Sequence, residues 1–129
     1  MINTYEEYLK NASVLTVEDA MDIYQRMADS IKACSLEDKM DFWNHTLRLA
    51  ADYSNTRNRW ELLSTKERIS ADKSRTMEHD AFIISVNVLA RIAAAEGIDN
   101  SWRKELGDNR KRLGDFACWI AYITGISNR

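Results

Sequence analysis

Apolar residues recur at three- and four-residue steps through most of this chain, the period of a helix with one buried side. The longest such run lies between Ser74 and Gly97. There Phe82, Val86, Leu89 and Ala93 form one row; Ile83, Ala90 and Ala94 lie beside it, and Ile84, Val88 and Ile92 beside that. Apolar surface over more than half the circumference predicts a central helix contacted from several sides. Gly97 follows directly and suits the left-handed position past a helix C-terminus. Asn87 falls inside the apolar zone, where an amide must find hydrogen-bond partners, either on a neighbouring helix or on a ligand.

The same period predicts the other elements. Residues 3–12 form a candidate short leading helix with Tyr5, Tyr8 and Leu9 on one side. Thr16, with Asp19 three residues on, starts a helix that buries Ala20, Ile23, Met27 and Ile31 and runs to about Cys34. Ser35 and Asp38 repeat that start, and Leu36, Met40, Trp43, Leu47 and Ala50 continue as a buried row to about Leu63. Ser64 and Glu67 have the spacing of a capping box. With that box the central helix starts at Ser64; without it, residues 64–73 are a loop or a separate turn. Asp99 or Asn100 caps a short helix over SWRKEL, ended by Gly107. Asp108 caps a last helix from 109 to about 124 that buries Leu113, Phe116, Ala117, Ile120 and Ile123. Gly114 inside it costs up to about 1 kcal/mol against alanine, so a close approach is expected there, with the Ala90–Ala95 end of the central helix as the neighbour. The prediction is one all-α domain over 1–129: an antiparallel bundle of four main helices plus one or two short helices.

Composition narrows the class. The 129 residues hold no proline and four glycines, which favours long helices with short connections. No stretch of about 20 apolar residues occurs, so no transmembrane helix is expected. The first ten residues, MINTYEEYLK, lack the basic start and apolar core of a signal peptide. Two cysteines, Cys34 and Cys118, are too few for a disulfide framework and read as reduced thiols of a cytoplasmic protein. Net charge is −2, unevenly spread: residues 1–54 carry five Lys/Arg against ten Asp/Glu, residues 55–75 six against three. No domain-wide basic face results, which disfavours nucleic acid as partner.

Several polar sets are candidates for chemistry. Arg75, Thr76, His79 and Asp80 cluster on adjacent faces of one helix, able to bind an anion or a metal or simply to meet solvent. Arg91 and Asp115 lie about 8 Å and about 10 Å from the Gly97 turn if their helices are antiparallel across it, so an ion pair between helices is expected. His45, His79, Asp80 and Asp115 follow the ligand order of HD-type metal phosphohydrolases, in which a divalent ion activates water. That set can form only if the central helix starts at Ser64. His45 lies off its helix's buried row. Basic segments 57–75 and 103–112 carry Trp60 and Trp102 but are expected at opposite ends of the bundle, so they make no single nucleic-acid stripe. No catalytic set is assigned and no cofactor is expected.

The segments RT-x-x-HD-A-x-I-x-x-x-N-x-LAR (Arg75 to Arg91) and SWRKELGD-x-R-x-x-x-GDFA (Ser101 to Ala117) resemble a family of small helical proteins from Gram-positive bacteria, a domain of unknown function. The resemblance covers the last third to half of the chain. In that family Asn more often follows the His, so Asp80 departs from the pattern and counts against metal ligation. The resemblance implies a cytoplasmic helical domain and no catalytic residues. The expected function is a non-enzymatic interaction or regulatory module with a protein partner or a second copy of itself. The alternatives are the HD-type phosphohydrolase and a nucleic-acid accessory protein.

Overall fold

The computed structural model describes residues 14–125; the leading helix expected over 3–12 lies outside them. Among the described residues there are five α-helices and no strand: α1 (Val17–Ala33), α2 (Lys39–Arg59), α3 (Thr65–Ala95), α4 (Ser101–Leu106) and α5 (Arg110–Thr124). A single 3-10 turn, Trp60–Leu62, joins α2 to α3. The fold is all-α, and no described helix is long and apolar enough to cross a membrane.

Local sequence sets most of the boundaries. Thr16 Oγ1 accepts from Asp19 N at 3.1 Å and starts α1, whose stripe of Ala20, Ile23, Met27 and Ile31 is buried. Ser64 and Glu67 make the full capping box: Glu67 N donates to Ser64 Oγ at 3.1 Å and Ser64 N to Glu67 Oε1 at 2.8 Å. Residues 65–73 are therefore helix, and α3 is 31 residues long. Gly107 and Gly125 adopt positive φ (78° and 71°) where α4 and α5 end.

Two starts differ from expectation, and a third settles between two candidates. Ser35 and Asp38 make no cap. Ser35 N donates instead to Glu96 Oε1 at 2.8 Å, Asp38 is left-handed (φ 59°), and α2 begins at Lys39, three residues later than a Ser35 cap would start it. Met40, in the first turn of α2, lies uncovered, 54% exposed. Asp99 rather than Asn100 serves the first turn of α4: its Oδ1 accepts from Ser101 N at 3.1 Å, while Asn100 Nδ2 donates to Ala90 O at 2.9 Å. Asn109 replaces Asp108 as the cap of α5, accepting from Arg112 N at 3.0 Å.

The core lies among α1, α2, α5 and the second half of α3. Trp102 and Trp119 are both buried, and each indole N–H has a partner, Ser30 Oγ at 2.9 Å and the Leu15 carbonyl at 2.9 Å. Thr46 Oγ1 donates to the Phe42 carbonyl and so accepts from the Ser85 hydroxyl, a buried polar link between α2 and α3. Asn87 is half-buried and accepts from Arg103 Nε at 2.7 Å, so it ties α3 to α4. The main neighbour of α5 is α2, not α3. Ile84, expected in the core, is 61% exposed, because α3 is covered on one side only.

The capping box yields a test. Hydrogen bonds from the Ser64 backbone and then from its hydroxyl hold the Glu67 carboxyl below its ordinary range. A group whose folded pKa is lowered contributes stability above its unfolded value and loses it as the pH falls through the folded one. Ser64→Ala should cost about 1 kcal/mol of unfolding free energy at neutral pH. Glu67→Ala should also destabilise, and its difference from the parent should shrink in acid, as read by urea unfolding at neutral and low pH.

Candidate functional site

The site is assembled around Asp115, whose side chain is fully buried on α5. Arg57, from the last turn of α2, reaches it with Nη2 2.9 Å from Oδ1. Val14 N donates to Oδ2 at 3.2 Å, and Lys111 Nζ stands 3.7 Å from the same oxygen. One carboxylate therefore joins α2, α5 and the segment entering α1. The approach is possible because residue 114 is glycine. A Cβ there would lie 2.8 Å from Arg57 Nη1 and 2.9 Å from Tyr53 Oη. The close contact expected at Gly114 exists, but its partner is a pair of α2 side chains rather than the Ala90–Ala95 backbone.

His79 enters from α3, 5% exposed, with its ring edge-on to Tyr53 at 5.2 Å. Its Nε2 lies 3.0 Å from the Arg110 carbonyl. A carbonyl only accepts, so Nε2 carries the proton and donates. The other nitrogen, Nδ1, is buried 3.6 Å from Asp80 Oδ1, and that same oxygen lies 3.1 Å from Arg110 Nη1. Arg75 is held by Asp72 at 2.7 Å and lies over the Trp60 ring at 4.1 Å. Arginine over an aromatic face is attracted by the ring's electron density and keeps its N–H edge outward.

These side chains line an open cleft of about 350 Å³ between α2, α3 and α5. Tyr53 and Arg57 form one wall, Arg75, Thr76 and His79 the second, and Arg110 with Lys111 the third. Burial raises the Tyr53 phenol above its ordinary value despite the opposing charge of Arg57, so it remains a neutral hydroxyl. Four cationic groups face three carboxylates. Asp115 lies beneath the floor, and Asp72 and Asp80 stand on the solvent side, 59% and 49% exposed.

The predicted residues separate. Arg75, Thr76 and His79 share the cleft, Asp80 lies at its edge and Asp115 under it. Asn87 serves α4. Arg91 is exposed, and the expected Arg91–Asp115 pair is replaced by Arg57–Asp115. His45 is exposed on α2. Among the described residues no group of three His, Cys, Asp or Glu side chains could hold a metal ion, so His45, His79, Asp80 and Asp115 are not brought together as one ligand set.

Sequence reasoning missed Tyr53, and it did not bring Arg57, Arg110 and Lys111, all within the two basic segments, to this site. The two basic segments, expected at opposite ends of the bundle, supply the cleft from both sides. Residues 100–109 carry the chain back along α3, so α5 begins beside His79 rather than at the Gly97 turn. The distance gained is about 24 Å, from Ala95 to His79 at 1.5 Å per residue. The usable signal was Gly114, next to a carboxylate at the start of the apolar stretch of α5.

Compared with protein-family models, curated proteins and solved structures, the chain matches none.

Removing one partner of a buried ion pair leaves the other desolvated, so Asp115→Ala should lower stability by about 3 kcal/mol. Gly114→Ala should destabilise by about 1–3 kcal/mol, outweighing alanine's helix preference, because the new methyl group meets Tyr53 and Arg57. In an Arg57→Ala background the same Gly114→Ala change should cost less, and chemical denaturation of the four chains measures that coupling.

Proposed function

We propose that this protein is a non-catalytic helical binding module of the bacterial cytoplasm, and that its cleft receives an oxyanion, a carboxylate or phosphate group carried by its partner. The observation that carries this reading is the convergence of Arg57, Arg75, Arg110 and Lys111 from three helices on one cleft. Arginine matches an oxyanion with paired N–H donors, and Arg75 is already oriented by Trp60. The neutral Tyr53 hydroxyl and Thr76 add uncharged donors at the same walls. Holding, rather than turnover, fits the histidine. Its Nε2 proton is committed to a backbone carbonyl and its ring packs edge-on against Tyr53, so the ring is held as part of the wall. Two buried free thiols suit a reducing compartment.

Titration with inorganic phosphate or citrate, followed by amide chemical shifts, tests the reading. Shifts should concentrate at Thr76, His79, Arg110 and Lys111 and weaken as salt is added. Arg75→Glu with Arg110→Glu should reduce the affinity by about tenfold or more, since two attractive charges become repulsive. Absence of saturable shifts with either anion would sink it.

A further inference from the structure

The outward side of α3 has a use the monomer does not explain. None of the residues from Thr65 to Glu78, the first half of the helix, is buried; the buried positions begin at His79. Arg68, Ala71, Arg75 and Glu78 are half-buried and make the inner row. On the opposite arc stand Ile69, Met77 and Ile84, 74%, 61% and 61% exposed. At 100° per residue these three lie within about 80° of one another, together with Lys73 and Asp80.

The order along that arc is Ile69, Lys73, Met77, Asp80, Ile84, at steps of four, four, three and four. Such steps make a seam suited to a second helix. The order is also self-complementary when reversed. Laid antiparallel on a copy of itself about Met77, the seam puts Ile69 on Ile84, Lys73 on Asp80 and Met77 on Met77. This is the condition for an isologous two-fold contact, in which one patch serves both subunits. A parallel arrangement in register would set Lys73 on Lys73 and Asp80 on Asp80. Asp80 is free to take part, because its contacts with Arg110 and His79 both use Oδ1. Its Oδ2 is left for the second copy.

We infer that two copies of this chain pair through antiparallel α3 helices, with Met77 at the two-fold axis and Lys73 of each copy on Asp80 of the other. The seam spans about 22 Å from Ile69 to Ile84. Its area is on the order of 1,000 Å², the low end for specific complexes, so a reversible dimer in the micromolar range is expected. The pairing does not rest on the anion reading: it uses the neighbouring arc of α3, and Asp80 is the one side chain that borders both.

The full chain should show concentration-dependent dimerisation in sedimentation velocity, and Ile84→Asp should weaken it by about tenfold or more by placing a carboxylate in the seam. The charge pair gives the sharper test. Lys73→Glu alone sets two like-charged pairs across the dimer, as does Asp80→Lys alone. Mixing the two variant chains restores opposite charges at both contacts, so the mixture should associate about tenfold more tightly than either variant by itself. Should Asp80→Lys fail to fold, Met77→Cys decides: mild oxidation should yield a cross-linked dimer, because the two thiols meet at the axis. A parent chain that stays monomeric across the micromolar range, a mixture no tighter than its components, or a Met77→Cys chain that oxidises without cross-linking would each overturn the pairing.

Discussion

A fully buried carboxylate is the constraint on which the arrangement of helices turns. Moving Asp115 out of water costs several kcal/mol unless its oxygens are occupied by donors or cations. It finds them on three parts of the chain: the Arg57 guanidinium, the Val14 amide and the Lys111 ammonium. That requirement fixes how near α2 comes to α5, and glycine at 114 makes room for it. It also fixes where the chain enters α1, because the Val14 amide is committed to Asp115. Next to it, Arg112 Nη1 donates to the Val14 carbonyl at 3.2 Å and Trp119 Nε1 to the Leu15 carbonyl at 2.9 Å. Three consecutive turns of α5 thus hold the entry to α1. The cleft follows from the same constraint. Arg57 cannot serve Asp115 without lying at the junction of α2, α3 and α5, where Arg75 and Arg110 already converge.

Local signals in the sequence survive into the structure almost unchanged. Thr16, Ser64, Gly107 and Gly125 begin or end helices as their chemistry demands, because a cap is made by residues within a turn of one another. The stripe of α1 survives because one face of that helix packs on one core. Two failures have a common cause. Met40 and Ile84 both fit an apolar row, but a period states which residues share a face, not whether another helix covers it. Ser35 and Asp38 have the right spacing for a cap and do not form one: Asp38 is left-handed, and the Ser35 amide donates to Glu96, 61 residues away. Spacing alone has no means of revealing such a partner.

The site was half legible for a different reason. Arg75, Thr76 and His79 share one helix, so their proximity is a matter of period alone. Arg57, Arg110 and Lys111 reach them through tertiary geometry, which depends on the level at which each helix starts. The expectation of an Arg91–Asp115 pair placed α5 directly after the Gly97 turn. The short helix α4 displaces that start by several turns. It is held in place by two bonds absent from any local pattern, Asn100 Nδ2 to the Ala90 carbonyl and Arg103 Nε to Asn87 Oδ1. Asn87 therefore has a consequence larger than filling a polar gap. By anchoring α4 along α3 it helps set where α5 begins, and so which arginine Asp115 meets.

Helix α3 performs two tasks that divide at about His79. Its second half is a core helix, and its first half is a rib with one side on the end of α2 and the other toward solvent. A rib of this kind is not required for burial, since the fold's core is complete without it. Its length is instead what brings Arg75 and Thr76 to the cleft and spaces Ile69 from Ile84. The cleft and the outer seam lie on adjacent arcs and share a single side chain, Asp80. Because Arg110 pairs with Oδ1, the second oxygen of Asp80 can face the seam without opening that contact. In the proposed complex, an anion that drew Arg110 toward itself would leave the Asp80 carboxylate less compensated on the side of the proposed seam. Any such effect must run both ways, because coupling between two binding equilibria is reciprocal. Asp80 is therefore the position at which the proposed anion site and the proposed α3 pairing would meet.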